Sequence, residues 1–542
     1  MRVSVDEHRR AVREHPNLTP VTAVRPVSGV AWRLASLAFW VAACVLCAIL
    51  IFANLEQTPR TWFDEGSHLH VPKTLAQTGR YADRSSEGFR AFGPTVGVGP
   101  TVMLPIAAMF KLGGISLLDA RLVIVAYMLV ALAAFALLMN RLAGRRIAVL
   151  STVLLLAAPG LEFVRTGRQV LGEVPAFAFL LCGLLVWFAR DDRAGEIVLT
   201  RCTKRCIIAG GLFGLTVITK SQLGIVLVPS LGILALLALR WEKRIGLKQV
   251  IIPLIVMLLT FAGWEYALLT IVTGGSLSQN LTFLRQASGG SLIVIAPQRM
   301  ITGARFLIGP HAFFALLIPA LAYGCVRAAR RKVQVGELVL LTVSVVGLAW
   351  FVCASVAWPR YAFVPLALAA LPIARLLTES ASTLWHGGSV KRGIILVLAF
   401  VLTIAIGASF AGQLRTALAS PDDAPQRMAR YLDMTVPTIT VIETWEPELG
   451  FLTDHRYHYP DPAYLDRAVR HEWLGAPAIT GYDVRASGAS YLVIGPFARY
   501  TGIYDEGSIA ALYRRTAVVG DYTLYQLTPD TTATGGMKGA PV

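Results

Sequence analysis

Two carboxylates stand side by side in Trp62-Phe63-Asp64-Glu65-Gly66-Ser67-His68, shortly after a long apolar block. Adjacent acids at the edge of a membrane helix suit proton abstraction, or a divalent ion. The same segment also reads as a helix start, with Asp64 capping a helix through Leu69, Leu75 and Ala76. A second charged segment runs Arg165-Thr-Gly-Arg168-Gln-Val-Leu-Gly-Glu173-Val-Pro175 between two apolar blocks. Its Glu173-Val-Pro175 end is equally a helix N-terminus, with an acid at the positive end and Pro in the first turn. Lys220 in Thr219-Lys220-Ser221 and Arg360 in Trp358-Pro359-Arg360-Tyr361 are further cations between apolar blocks. Each needs an anionic partner or snorkels to lipid phosphate. Glu265, in Gly263-Trp264-Glu265-Tyr266, reads as a paired structural charge.

Together these residues suggest a chemistry that none shows alone. Arg and Lys at headgroup depth hold a lipid phosphate by charge-assisted hydrogen bonds. A neighbouring carboxylate takes a proton from a hydroxyl. That combination suits transfer from a lipid-phosphate donor to an alcohol, with cations stabilising the departing phosphate. A divalent ion in such a site would draw on Asp64, Glu173 and His68. Other motifs carry less. The glycine-rich run from Gly93 to Gly99 lacks the Lys-Ser/Thr of a phosphate-binding P-loop. His68 and His70, two apart, do not share a helix face.

The elements that must position these residues are membrane helices. Of the 542 residues, 55% are hydrophobic and 15% charged, against roughly 25% charged in an average soluble domain. Mean hydropathy is +0.59, which excludes disorder and an ordinary soluble enzyme. Apolar blocks at 31–53, 117–139, 147–164, 174–189, 206–221, 222–239, 249–272, 311–328, 336–356, 361–377 and 393–411 read as spans. The fold class expected is an all-α polytopic membrane protein of about eleven transmembrane helices. The net charge of +17 sits in short clusters between blocks, which points to membrane orientation and not to nucleic acid. With a cytoplasmic N-terminal tail (1–30), the loops 140–146, 190–205, 240–248, 329–335 and 378–392 are all inner and all basic. The first loop (54–116) and the loop 273–310, carrying Arg285, Arg299 and Arg305, are then outer. Residues 95–112, broken by Pro100 and Pro105, read as a helix at the outer surface. The tail, 412–542, has 11 Lys and Arg against 15 Asp and Glu. Its strand-like runs Thr438–Glu443, Tyr491–Ile494 and Tyr522–Leu527 suggest a small extracytoplasmic α/β C-terminal domain with a disordered Gly/Thr-rich end. The seven cysteines form no zinc-like or disulfide pattern.

Asp64-Glu65-Gly66, Thr74-Leu75 and Gly79-Arg80-Tyr81 resemble the first outer loop of the GT-C glycosyltransferases. The nearest group contains the protein O-mannosyltransferases and the aminoarabinose lipid A transferase. Arg168-Gln-Val-Leu-Gly-Glu173-Val-Pro175, Thr219-Lys220 and Pro359-Arg360-Tyr361 follow in matching order, so the resemblance spans about 30–410. It implies an inverting transfer outside the cell membrane from a polyprenyl-phosphate sugar donor to a hydroxyl of a glycan, lipid or protein acceptor. Asp64 matches the catalytic base, Glu65 its acidic neighbour and Glu173 the second acidic position. Lys220 and Arg360 match basic positions that can face the donor phosphate, and Arg165, Arg168 and Tyr361 are further candidates for holding it. A Glu-Lys pair that the aminoarabinose transferase carries late in this loop is replaced by Arg90-Ala-Phe-Gly93-Pro94-Thr95, which bears on metal use. The rival readings are a transporter or flippase of a lipid-linked anion, which calls for repeats and deep polar residues, and a binding scaffold.

Overall fold

The computed structural model describes residues 29–90, 98–191, 195–240, 245–272, 293–386 and 388–528. The N-terminal tail, most of the glycine-rich run from Gly93, Arg285 and the Gly/Thr-rich end lie outside these residues. The chain divides into two compact units, Met1–Leu50 and Ile51–Val542. The first holds nearly all of an apolar helix, α1 (Gly29–Phe52).

The larger unit begins with the helix that carries the acid doublet, α2 (Phe63–Thr78). Asp64 and Glu65 lie in its first turn, where the helix dipole favours negative charge. Trp62, not Asp64, occupies the N-cap position and makes no side-chain cap. Gly79, at φ 76°, closes the helix in the left-handed conformation. Residues 95–112 contribute α3 (Pro100–Gly113). At 1.5 Å per residue it is roughly 21 Å long, short of a ~30 Å hydrocarbon core. Its buried Val102, Met103, Ile106 and Phe110 pack with Leu69 and Val71 of α2 and with Leu117, Ala120 and Ile124. Those last three belong to α4 (Leu117–Ala143), begun by Ser116, whose side chain accepts from the Asp119 N–H.

A helix stands at every apolar block read from the sequence. The series continues with α5 (Arg145–Ala157), the one-turn α6 (Phe163–Thr166), α7 (Glu173–Trp187), α8 (Thr203–Thr219), α9 (Gln222–Arg240) and α10 (Leu247–Ala267). Then come α11 (Pro297–Ile308), α12 (Leu317–Ala329), α13 (Val335–Cys353), α14 (Phe363–Trp385) and α15 (Ser389–Leu418). Boundaries differ where breakers intervene. The block 147–164 is a 13-residue helix that stops at Ala157, because Pro159 and Gly160 follow and Glu162 turns with φ 46°. The last block extends to 30 residues. Among the described residues, six helices are long and apolar enough to cross a membrane, which makes this a multi-pass membrane protein.

After α16 (Ala424–Thr435) the chain changes character. A five-stranded sheet runs in the order β6-β5-β7-β9-β8, as Arg456–His458, Val441–Thr444, Tyr491–Ile494, Tyr522–Leu527 and Tyr513–Val519. The labels β1 to β4 belong to two small hairpins, Asp83–Ser85 with Gly88–Arg90 and Phe188–Arg190 with Ile197–Leu199. In the five-stranded sheet β5 is parallel to β6 and β7, while β9 runs antiparallel to β7 and β8. The parallel neighbours need crossovers, supplied by α17 (Pro447–Leu452) and α18 (Pro462–Leu474). The sequence reading found three of these strands and missed β6 and β8.

This sheet layer grips α2 along its length. Phe63 stacks on Phe497 at 3.6 Å between ring centroids. His70 Nε2 lies 2.7 Å from the Pro447 carbonyl, while its Nδ1 meets Asp83 at 2.7 Å. Lys73 Nζ donates to the carbonyls of Gly450, Phe451 and Thr453 at 3.1, 3.0 and 2.6 Å. Gly66 lets the backbones meet: a Cβ there would stand 2.3 Å from the Glu448 nitrogen. Gly66→Ala is therefore expected to destabilise the folded chain by about 1–3 kcal/mol, as overpacking does. Unfolding of the detergent-solubilised variant should occur at lower denaturant than wild type; an unchanged midpoint would contradict this contact.

Candidate active site

Four segments far apart in sequence bring their charges to one place. Asp64 projects from the first turn of α2, and Glu173 heads α7 behind the N-cap Gly172. Lys220 follows the last turn of α8, and Arg360 lies in a 3₁₀ turn, Pro359–Ala362, that leads into α14. Arg360 Nη1 donates to Asp64 Oδ2 at 2.5 Å, and its Nε lies 3.9 Å from Glu173 Oε1. Lys220 Nζ approaches the same Glu173 oxygen at 3.1 Å. The cluster is a chain of alternating charge: Asp64, Arg360, Glu173, Lys220. Asp64 and Arg360 keep 19% and 17% of their side chains exposed, against 5% and 7% for Glu173 and Lys220. The open end of the chain is thus the Asp64–Arg360 pair.

The cluster is held but not saturated. Among the described residues neither oxygen of Glu173, nor Arg360 Nε, makes a well-aligned hydrogen bond, although all are buried. Buried polar atoms left in this state are costly unless a ligand completes them. The guanidinium of Arg360 lies 3.7 Å from the Trp358 ring centroid, a cation–π contact. Trp358 in turn meets Trp62 and Trp473 edge-on at 6.0 and 5.2 Å. Tyr361 borders the charges: it is buried, stacks on Trp350 at 5.7 Å, and its ring centroid lies 5.9 Å from the Arg360 guanidinium.

Small residues let these segments approach. Gly99 donates its N–H to the Thr219 carbonyl at 3.3 Å, and a Cβ on Gly99 would collide with Ile218 at 2.0 Å. A Cβ on Gly172 would press on the Lys220 side chain at 3.0 Å. Thr101 and Thr219 hydroxyls share a hydrogen bond of 2.7 Å beside them. The turn before α3 and the Lys220 turn are therefore in direct backbone contact, with the α7 N-terminus packed closely on the latter.

Glu65, expected beside Asp64 in the chemistry, is elsewhere. It is fully buried and forms a two-pronged pair with Arg121 of α4, from Nε at 2.8 Å and Nη2 at 2.6 Å. Arg121 also donates to the carbonyls of Leu55 and Pro59, each at 2.7 Å. Glu65 Oε1 accepts the Val170 N–H at 3.0 Å. Three hydrogen bonds thus tie the Glu65 carboxylate into the fold, away from Arg360 and Glu173. Arg165 is likewise outside the cluster, exposed and paired with Glu162 at 3.0 Å. Arg168 turns to the carbonyls of Ala53 and Thr58 and ties down the loop before α2.

His68 borders the cluster as a neutral group. Its Nδ1 lies 2.8 Å from the Val170 carbonyl, which can only accept, so Nδ1 carries the proton and Nε2 is left with a lone pair. Burial pushes its pKa down to about 4, against a smaller upward pull from Asp64. As a set for a divalent ion, Asp64, Glu173 and His68 are incomplete as arranged: the His68 Nε2 lone pair is open, but both acids already face cations. Among the described residues no three His, Cys, Asp or Glu side chains converge as metal ligands. Arg121 is the positioning residue that the sequence reading missed. Its signal was available, as a lone arginine inside the apolar block 117–139.

No protein-family model and no curated protein matches the sequence. Solved structures do. ArnT from Cupriavidus metallidurans, bound to undecaprenyl phosphate, superposes with a TM-score of 0.61 at 14% identity, over 93% of this chain and 99% of that one. Its apo state gives 0.60, over 91% and 98%. The Archaeoglobus fulgidus oligosaccharyltransferase AglB, in complex with an inhibitory peptide and a dolichol-phosphate, gives 0.54 at 13% identity, over 92% and 74%. Both are GT-C enzymes, and the chain has their fold.

Two outcomes test the supports of the site. Glu65→Gln strands a buried guanidinium, and should cost about 3–5 kcal/mol of stability, read from chemical unfolding. A cost below ~1 kcal/mol would mean that the pair is not the anchor described. His68 has a folded pKa below its ordinary value of 6.5, so its contribution is full above pH 6.5 and is lost as pH falls toward 4. Wild type should therefore lose about 3 kcal/mol more than His68→Gln across that window. Parallel pH–stability curves would refute the assignment.

Proposed function

We propose that this chain is an integral-membrane glycosyltransferase that moves a sugar from a polyprenyl-phosphate donor to an acceptor hydroxyl. The observation that carries the reading is the convergence of Asp64, Arg360, Glu173 and Lys220 at one end of the helices. The basic loops at the other ends favour an orientation with this cluster on the outer side of the cell membrane. There the donor enters from the lipid and its carrier phosphate meets Arg360 and Lys220. The fold likeness to ArnT, bound to undecaprenyl phosphate, and to AglB, in complex with a dolichol-phosphate, supports a lipid-linked donor.

The charge arrangement supplies a mechanism. Asp64, partly exposed in an otherwise buried cluster, takes the proton of the acceptor hydroxyl. The acceptor oxygen forms its bond to the anomeric carbon as the bond from that carbon to the phosphate oxygen breaks, and the configuration inverts. The phosphate leaves with the electron pair and gains the negative charge that Asp64 loses. Arg360, bonded to Asp64 before reaction, is placed to follow that charge to the phosphate. Lys220 holds the phosphate from the far side while Glu173 keeps both cations in place. In this reading residues 31–411 carry the transfer, and the sheet that follows fixes the α2 helix.

Purified protein, given a polyprenyl-phosphate sugar and an acceptor screen, tests the proposal by release of the carrier phosphate. Asp64→Asn should lower turnover by about 10²–10⁴-fold with the donor still bound. Arg165→Gln, at an exposed side chain paired with Glu162, should leave turnover unchanged. Full activity in Asp64→Asn would remove Asp64 as base. Donor translocated without sugar release would favour a flippase.

A further inference from the structure

At the ends of the helices away from the charged cluster lies a cavity of about 790 Å³. Helix α7 joins the two places: Glu173 heads it, and Phe188, one residue past its end, lines the cavity. Fifteen residues of helix put them roughly 21 Å apart. The wall includes the end of α4 with Arg141 and Leu142, the β3–β4 hairpin with Phe188 and Arg190, Arg205 of α8, and Arg375 of α14.

The charges here do not balance. Four arginines line the cavity, and among the described residues no Asp or Glu does. Arg375 bonds Glu337 and lies 3.6 Å from Glu379, and Arg327 lies 3.8 and 3.2 Å from the same two acids. Two acids thus cancel two arginines. Among the described residues, Arg141, Arg190 and Arg205 meet no carboxylate on this wall. Arg205 is aimed by the Val186 and Phe188 carbonyls at 2.9 and 2.7 Å, and Arg141 by the Leu185 carbonyl at 3.3 Å. Carbonyls orient a guanidinium without neutralising it. Asp191 and Glu196 sit at the hairpin turn and do not line the cavity. Concave cationic walls with low-dielectric backing concentrate potential, and guanidinium forks match phosphate oxygens. Leu142 and Phe188 add an apolar side.

We infer that this cavity binds a phosphate group, from the headgroup of an anionic phospholipid or from a soluble phosphate, at the membrane face opposite the candidate active site. Such basic recesses between helices are natural headgroup sites. The inference does not depend on the sugar-transfer reading, and its readout is binding.

Full-length protein in neutral detergent, stripped of lipid, is offered phosphatidylglycerol, phosphatidylcholine or inorganic phosphate. Retention is read by native mass spectrometry and binding by thermal shift. The expected result is selective retention of phosphatidylglycerol over phosphatidylcholine, reduced about tenfold in R141Q/R190Q. Arg205 is left intact because it holds backbone carbonyls. The charge-preserving R141K/R190K should keep most of the retention, which separates lost charge from misfolding. Stabilisation of wild type by millimolar inorganic phosphate, absent in R141Q/R190Q, would assign the cavity to a soluble phosphate. Equal retention of the two lipids with no effect of phosphate, or R141Q/R190Q binding as wild type does, would overturn the inference.

Discussion

The buried pair between Glu65 and Arg121 is the constraint on which the site rests. Both side chains are fully buried, so their desolvation is repaid only by complete hydrogen bonding. That requirement recruits the carbonyls of Leu55 and Pro59, and the Val170 N–H, into one arrangement. The start of α2, the loop before it and the segment before α7 are fixed together as a result. On a helix, neighbouring residues point about 100° apart. Anchoring Glu65 inward therefore turns Asp64 toward the open side, where Arg360 waits. The acid doublet is one anchor, on Arg121, and one carboxylate turned to Arg360.

A second constraint comes from the other end of the chain. The sheet layer beyond residue 440 holds α2 through Phe497, the Gly66–Glu448 contact and three carbonyls on Lys73. Arg299 Nε extends the connection, donating to the Trp473 carbonyl at 2.7 Å. Beneath this contact Glu446 and Glu448 are buried close together, and burial with mutual repulsion raises the pKa of Glu446. Tyr522 donates to Glu448 Oε1 at 2.6 Å, and the Ala498 N–H to Glu446 Oε1 at 2.9 Å. The α2 helix is thus clamped between the membrane helices and a polar layer made by residues almost 400 positions later.

Much of this was legible because charge beside an apolar block is expensive and stands out. Asp64, Glu173, Lys220 and Arg360 were visible for that reason, as were the helices themselves. Their pairings were not, since Arg360 meets Asp64 across 296 positions and no local pattern records it. Nor does sequence separate Glu65 from Asp64, because only the partner helix decides which one is turned inward. Arg165 and Arg168 lie three residues apart and look alike, yet one is solvated and the other ties down a loop. The strand β6 escaped because Arg456-Tyr457-His458 is too short to show alternation. The early end of α5 was written in Pro159-Gly160, within a block read for hydropathy alone.

The aromatic contacts around Arg360 have an optical side. Trp358 and Trp62 both lie over the guanidinium, and Trp473 meets Trp358, so three indoles from three parts of the chain adjoin at one cation. Indole emission responds to the electric field and polarity at the ring. Any anion that draws Arg360 off Trp358 changes that field. The molecule therefore carries an intrinsic fluorophore at the mouth of its charged cluster, by which occupancy can be followed without a label.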